Sequence, residues 1–515
     1  MVRVRTASAI VMAVAAMFYA SARPATQQFG SITFPTSGAP AAQAAFLTGV
    51  KALHNFQFDE AAVAFKQAQA ADAQFAMAYW GEAMSHNHPL WAQQDLAKAK
   101  EALDRLAPTH EARLAKAKLP KEKAFLEAQQ VLYFGPGDKL ARDLAYSNVM
   151  AKLWEQYPDD HEVGTFYALS LLGSVRPGDA GYRRQALAAS IAERLFKANP
   201  NHPGAAHFII HAFDDPDHAP LALEAANAYA KIAPSAAHAL HMPSHIYVQR
   251  GMWEQVKQSN IVAYTAAIEL NAKMKLAEGR EDFHTLGWLG YANLMLGNVD
   301  ESKKNVALAK ATADRNPTNA GIRDGYLGMR ARHIQESGQW EKLELPAAAA
   351  PAAGGDHANM PGMNMGPPQG SATWIYIVGV SAAKLGDLST ADAAEAQLKG
   401  LRERAQGGPN AYAVRPHAVR EKELGAIIRW AKGQKEEALA LAKSAVDIEM
   451  TMEAPSGPPD PIKPAFELYA ELLAAAGKDK DAQAAFEQSL LRTPNRTPSV
   501  KGLAAVLAKL KSSMN

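Results

Sequence analysis

The chain has no cysteine. Disulfides, thiolate metal ligands and a cysteine-linked lipid anchor are therefore excluded, and histidine and methionine become the strong soft or borderline ligands on offer. Charge of one sign is also missing: 54 basic residues stand against 52 acidic ones, a formal net of +2. The electrostatic footprint of a nucleic-acid binder is absent, and that class is set aside. Beyond the first 22 residues no stretch approaches the roughly 18 uncharged apolar residues of a membrane span. At 515 residues the chain is longer than one hydrophobic core usually serves, so several domains or an elongated array are expected.

Residues 1–22 carry Arg3 and Arg5, then the apolar run "ASAIVMAVAAMFYA", and end on Ala20-Ser21-Ala22. That order is the pattern of a cleaved export signal, with cleavage near Ala22. A cysteine-free exported chain is held by core burial alone, and a periplasmic or secreted bacterial location is expected.

Self-similarity is present. In "GVKALHNFQFDEAAVAFKQAQ", Gly49, Ala52, Phe58, Ala61, Phe65 and Ala68 follow the spacing of a helix-turn-helix tetratricopeptide repeat (TPR). Small residues let paired helices approach, and large ones fill the gap between them. A second copy, "FELYAELLAAAGKDKDAQAAFEQSLLRTP", places Phe466, Ala470, Gly477, Ala482, Phe486, Ser489 and Pro494 on the pattern. Further copies are anchored by Gly251, Gly297, Gly338, Gly386 and Gly433. The expected fold is an all-α TPR-type solenoid, a quasi-one-dimensional stack of hairpins. The expected organisation is an N-terminal array over 23–344, a Pro/Gly/Met-rich linker over 345–372, and a C-terminal array over 373–515 that ends in a capping helix, "SVKGLAAVLAKLKSS".

Five of the 16 histidines crowd into "GAAHFIIHAFDD" (204–215) and "AAHALHMPSHIYVQRGMW" (236–253). His241 lies 34 residues after His207, and His245 lies 34 after His211, one repeat length in each case. Within each pair the spacing is four, so both rings leave one helical face about 5–6 Å apart at Cβ. Neighbouring helix axes sit about 8–10 Å apart, close enough for the four rings to converge. His207, His211, His241 and His245, with Asp214 added, are the candidate metal ligands, and His238, His284 and Asp215 are placed along the same groove. Imidazole suits zinc or copper. Two other readings stay open: a metal-free ligand or peptide groove, and a hydrogen-bonded network that only fixes helix packing.

Catalysis has thinner support. The His207/His211 spacing resembles the zinc-protease helix, but Phe208 stands where that motif needs its glutamate. A metal-dependent hydrolase using Asp214, Asp215 or Glu162 as base is the third reading, and a closed pocket with an acid beside the rings would favour it over a binder. Ser244 is expected to bond backbone near Pro243 rather than act as a nucleophile. His54, His86 and His88 outline a possible second patch, and Arg323, Arg330 and Arg332 around Tyr326 a possible carboxylate clamp. In the linker, "DHANMPGMNMG" sets His357, Met360, Met363 and Met365 within a short string, a copper-like segment because thioethers select cuprous ions.

The segments "HPGAAHFIIHAFDDP", "APSAAHALHMPSHIYVQRGMW" and "GPPDPIKPAFELYAELL…SLLRTPNR" together resemble a family of secreted bacterial TPR proteins without an assigned activity. The resemblance runs from about Ala41 to Leu510. It implies fold and export, and carries no catalytic residue onto this chain. A binding or scaffold role is therefore expected ahead of an enzymatic one, with a protein or peptide partner.

Overall fold

The computed structural model describes residues 28–176, 179, 181–347, 369–408 and 411–513. The export signal and His357, Met360, Met363 and Met365 lie outside these residues. What is described is an all-α solenoid of antiparallel helix pairs. The one β element among the described residues is a two-strand pairing of Asn87–His88 with Gln93–Gln94.

The first hairpin shows why these residues stack. Helix Pro40–His54 turns at Asn55 into Phe58–Ala71, and the fully buried Phe65 ring lies over two backbone positions that must be glycine. A Cβ at Gly49 would sit 2.7 Å from that ring, and one at Gly81, in helix Ala76–Met84, only 2.2 Å. Small residues on the outer helices thus let one phenylalanine bridge two layers. The last hairpin, Ala465–Ala475 and Asp479–Arg492, repeats the device. Gly477 makes its turn at φ 76°, which an L side chain rarely adopts, and Gly502 of helix Thr497–Ser512 lies against the Phe486 ring. That helix covers the final hairpin, as the capping pattern implied. Gly251, Gly297, Gly338, Gly386 and Gly433 also take positive φ at their turns.

Around the histidines the hairpins are Pro203–Ala212 with Leu223–Ile232, then Ala237–His241 and Pro243–Gln249 with Trp253–Met274, then Glu281–Met295 with Val299–Arg315. Pro243 splits the middle pair's first helix because it has no N–H to give to the preceding turn. Ser244 Oγ donates instead to the His241 carbonyl at 2.6 Å, the backbone role read from its position.

The helix before the linker, Ala320–Ser337, packs on the helix after it, Gln369–Lys384. Gln369 to Ala372, expected as linker, already belong to that helix. The proline-rich segment 453–464 crosses back over the N-terminal half: Gln249 Nε2 donates to the Pro455 carbonyl at 2.7 Å, and Gly457 lies against the Trp288 ring. Nearby, Arg496 is buried and bonded to Glu467 and Glu336, with Tyr291 beside it. At the other end, residues before Ala41 pack too. Phe29 and Phe34 are buried, and the Ser31 N–H donates to the Asn201 carbonyl.

No helix among the described residues is long and apolar enough to cross a membrane.

Candidate metal centre

His207 and His211 leave the same face of Pro203–Ala212, and their Nε2 atoms are 3.0 Å apart. His238, from the next repeat, brings its Nε2 to 3.2 Å from that of His207. These three form one trio. His241 and His245 meet in the same way, Nε2 to Nε2 at 3.0 Å, and His284 Nε2 lies 2.8 Å from that of His241. These form a second trio. In each, all three nitrogens lie within 4.8 Å of one another. Three imidazoles on a metal with bonds of about 2.0–2.1 Å would stand about 3.3–3.5 Å apart, so little movement separates either trio from a ligand set.

The four rings predicted to converge therefore divide between two sites. His238 and His284, placed only along the groove by sequence, complete them. Segment 237–249 serves both, giving His238 to the first trio and His241 and His245 to the second.

The groups behind the rings assign the protons. His207 Nδ1 faces the His54 carbonyl at 2.7 Å, which accepts only, so Nδ1 carries the hydrogen and Nε2 is left bare. His241 Nδ1 faces Asn260 Oδ1 at 2.8 Å, and Asn260 Nδ2 donates to the Val256 carbonyl, which fixes that amide's orientation. His245 Nδ1 donates to Asp214 Oδ2 at 2.6 Å. His238 Nδ1 faces Glu281 Oε1 at 3.4 Å. Four imidazole lone pairs are thus directed inward with no hydrogen between them. Bare nitrogens at 3.0 Å repel one another unless a proton or a cation sits among them.

Protons are disfavoured. Burial, reinforced by neighbouring imidazoles, holds His207, His211 and His241 well below the usual histidine value, and His284 is lowered to about 4, again first by burial. Glu281 ends at about 2: burial alone would raise it, but its bond to His238 and the surrounding rings outweigh that.

Asp214, predicted as a ligand, stands instead behind His245. Its carboxylate orients the ring, in the manner of the carboxylate–histidine pairs that support metal ligands. Asp215 leaves the groove: it accepts from Tyr182 Oη at 2.7 Å and pairs with His218 Nδ1 at 2.8 Å. One peptide unit separates the two carboxylates, and the chain turns between them.

A third group, His54, Glu162 and His202, is fully buried and tied together through the Glu162 carboxylate, although His54 Nδ1 has no hydrogen-bond partner. His202 Nδ1 accepts the Ala205 N–H, so its Nε2–H donates to Glu162 Oε1 at 3.1 Å, and His54 Nε2 meets Glu162 Oε2 at 2.7 Å. Each Glu162 oxygen takes one imidazole N–H, the kind of hydrogen-bonded network that the sequence left open for the groove histidines. Glu162 is lowered to about 2 because both histidines outweigh its burial, and it is not a free base. His88 stands apart from these groups, stacked on Phe58 at 3.9 Å. The three arginines make no clamp: Arg330 pairs with Glu341, Arg332 donates to the Pro459 carbonyl, and Arg323 is exposed beside Asp324.

Trp288 roofs the second trio, with its ring centroid 4.5 Å from that of His245 and 4.9 Å from that of His241. Gly457 lies close against the same ring, where a Cβ would stand 2.5 Å from it. Beside it opens a cavity of ≈ 300 Å³ whose lining includes His284, Phe283, Trp288, Met329, Arg332 and Asp324. Gly328 borders this space, and a Cβ there would touch nothing within 4 Å. The sequence marked 453–464 only as a rigid, proline-set entry to the last full repeat, and it did not single out Trp288, although that ring lies one helical turn from His284.

No protein-family model matches the chain, and no curated protein does. Solved structures similar to it include the human IFIT1 dimer with m7Gppp-AAAA, at 12% identity and a TM-score of 0.38 over 84% of this chain and 90% of that one. The APC/C hetero-tetramer Cut9-Hcn1 is similar at 13% identity and 0.34, over 93% and 78%. The P58(IPK) TPR domain is similar at 13% and 0.22, over 92% and 99%.

Proposed function

We propose that this protein is an exported, periplasmic TPR-type scaffold that holds transition-metal ions, copper or zinc, on the histidines of its inner surface. One observation carries the reading: the His241 and His245 Nε2 atoms, both bare, face each other at 3.0 Å with their Nδ1 hydrogens tied back to Asn260 and Asp214. In a packing network an imidazole N–H meets an acceptor, as those of His54 and His202 meet Glu162, whereas two lone pairs facing each other need a cation. Neutral imidazole with Nδ1–H on a carboxylate or carbonyl is the form in which histidine binds zinc or copper.

Stacked hairpins also present long surfaces suited to a protein or peptide partner. At the histidines, though, segment 453–464 and Trp288 cover the groove, which favours ions and small molecules there and leaves a protein partner to other faces. A metal-dependent enzyme is the second reading, favoured by the cavity at His284 with Asp324 in its wall. The methionine-rich segment with His357 is a separate cuprous-ion candidate.

Elemental analysis of the purified full chain is the test, alongside a variant with His207, His211, His241 and His245 changed to Ala. Copper or zinc bound at or below micromolar concentration, and lost in the variant, is the expected result. Failure of the unaltered chain to bind either ion would leave the scaffold alone.

A further inference from the structure

Going one step past the metal reading, and resting on it, we propose that the two histidine trios form a single centre, a pair of transition-metal ions bridged by one small anionic ligand.

Spacing is the first support. His238 and His241 belong to different trios yet lie three residues apart on Ala237–His241, a rise of about 4.5 Å along a helix. Across the boundary the ring centroids of His238 and His241 are 6.4 Å apart, and those of His211 and His245 6.2 Å. Two-metal sites hold their ions about 3.5–4 Å apart. One bridging atom spans such a gap.

Coordination number is the second. Among the described residues each trio offers three nitrogens and no further ligand, since Asp214 and Glu281 are engaged on the outer Nδ1 atoms. An ion bound by three protein ligands keeps an open position for an exogenous one. With the trios adjacent, one ligand fills both open positions.

Charge is the third. Six neutral imidazoles bring none, and Asp214 with Glu281 bring two negative charges. Two divalent ions exceed these by two positive charges in a largely buried place, which is costly without further anions. A bridging hydroxide, or a small anion of similar size, reduces the excess. Two cuprous ions would balance the carboxylates without a bridge, so the bridge belongs to the divalent state. The cavity that reaches His284 gives an anion a way in.

The test uses the full chain carrying Met360→Ser, Met363→Ser and Met365→Ser, so that thioether-bound copper is not counted. It is loaded with a cupric salt, freed of excess, and read both by elemental analysis and by electron paramagnetic resonance, with azide as the anionic probe. Two copper ions per chain with almost no spin signal is the expected result, because a bridge couples the two spins, together with a new optical band when azide enters. His211→Gln and His284→Gln each remove one half-buried ligand from a single trio. Each should leave one ion per chain with a full one-spin signal, with circular dichroism reporting the fold. One ion in the unsubstituted trios overturns the pair while leaving the metal reading standing. Two ions with two full, uncoupled spins overturn the bridge. No retained copper or zinc overturns both.

Discussion

At the scale of single residues, the groups behind the imidazoles matter as much as the imidazoles. Asp214 holds the His245 proton on Nδ1, so Asp214→Asn should weaken metal binding about 10–100-fold while leaving the fold intact. Competition against a chromophoric chelator measures this, and unchanged affinity would remove Asp214 from the centre. Elsewhere Glu423 is fully buried, and burial, with Glu449 adding to it, pushes its carboxyl well above the usual value. Below the unfolded carboxyl value both states are protonated and nothing is lost. As pH rises past it the unfolded chain releases a proton that the folded chain keeps, so stability falls by about 1.4 kcal/mol per pH unit. Glu423→Gln should therefore raise the melting temperature more at pH 8 than at pH 5, and an equal shift at both would contradict a raised Glu423 carboxyl. The histidine pairs were legible in the sequence because a four-residue step and a 34-residue repeat are both helical geometry. The roles of His238, His284 and Asp214 were not, because they depend on which ring nitrogen each neighbour occupies.

At the scale of elements, helix contact is set by where side chains are missing. Phe65 fits only because Gly49 and Gly81 face it, and a Cβ at Gly81 would stand 2.2 Å from its ring. Gly81→Val should destabilise by about 1–3 kcal/mol or more through forced separation of the two layers. Thermal melting checks this, and a neutral result would show that the layers slide apart freely. The repeat motif made such pairs readable, as it did the turn glycines and the capping helix. It could not reveal how the stretch split at Pro243 is shared between the trios. Ala237–His241 alone serves both trios, through His238 and His241, and His245 joins the second from beyond the break.

On the scale of the whole molecule, the solenoid returns on itself. Segment 453–464 covers Trp288, and Arg496 bonds to both Glu467 and Glu336 in full burial. Glu467 is held at about 2, since Arg496 and Lys463 outweigh its burial, so its contribution is present above the ordinary carboxyl range and lost as pH falls toward 2. Arg496→Met strands two buried carboxyl groups and should cost about 3–5 kcal/mol at neutral pH. A smaller loss in the melting curve at pH 7 would mean that the return contact is loose. Repeat spacing gave no sign of this closure, because a solenoid's pattern describes neighbours and the contact joins residues some 160 to 205 positions apart. The central claim is that imidazole nitrogen, and not methionine sulfur, holds the metal. X-ray absorption at the zinc edge of the zinc-loaded full chain, whose methionine-rich segment is a candidate for cuprous ion alone, tests it most directly. About three imidazoles per ion at about 2.0–2.1 Å, without a sulfur shell, is the predicted result, and a thioether sulfur shell or a spectrum lacking imidazole scattering would contradict it.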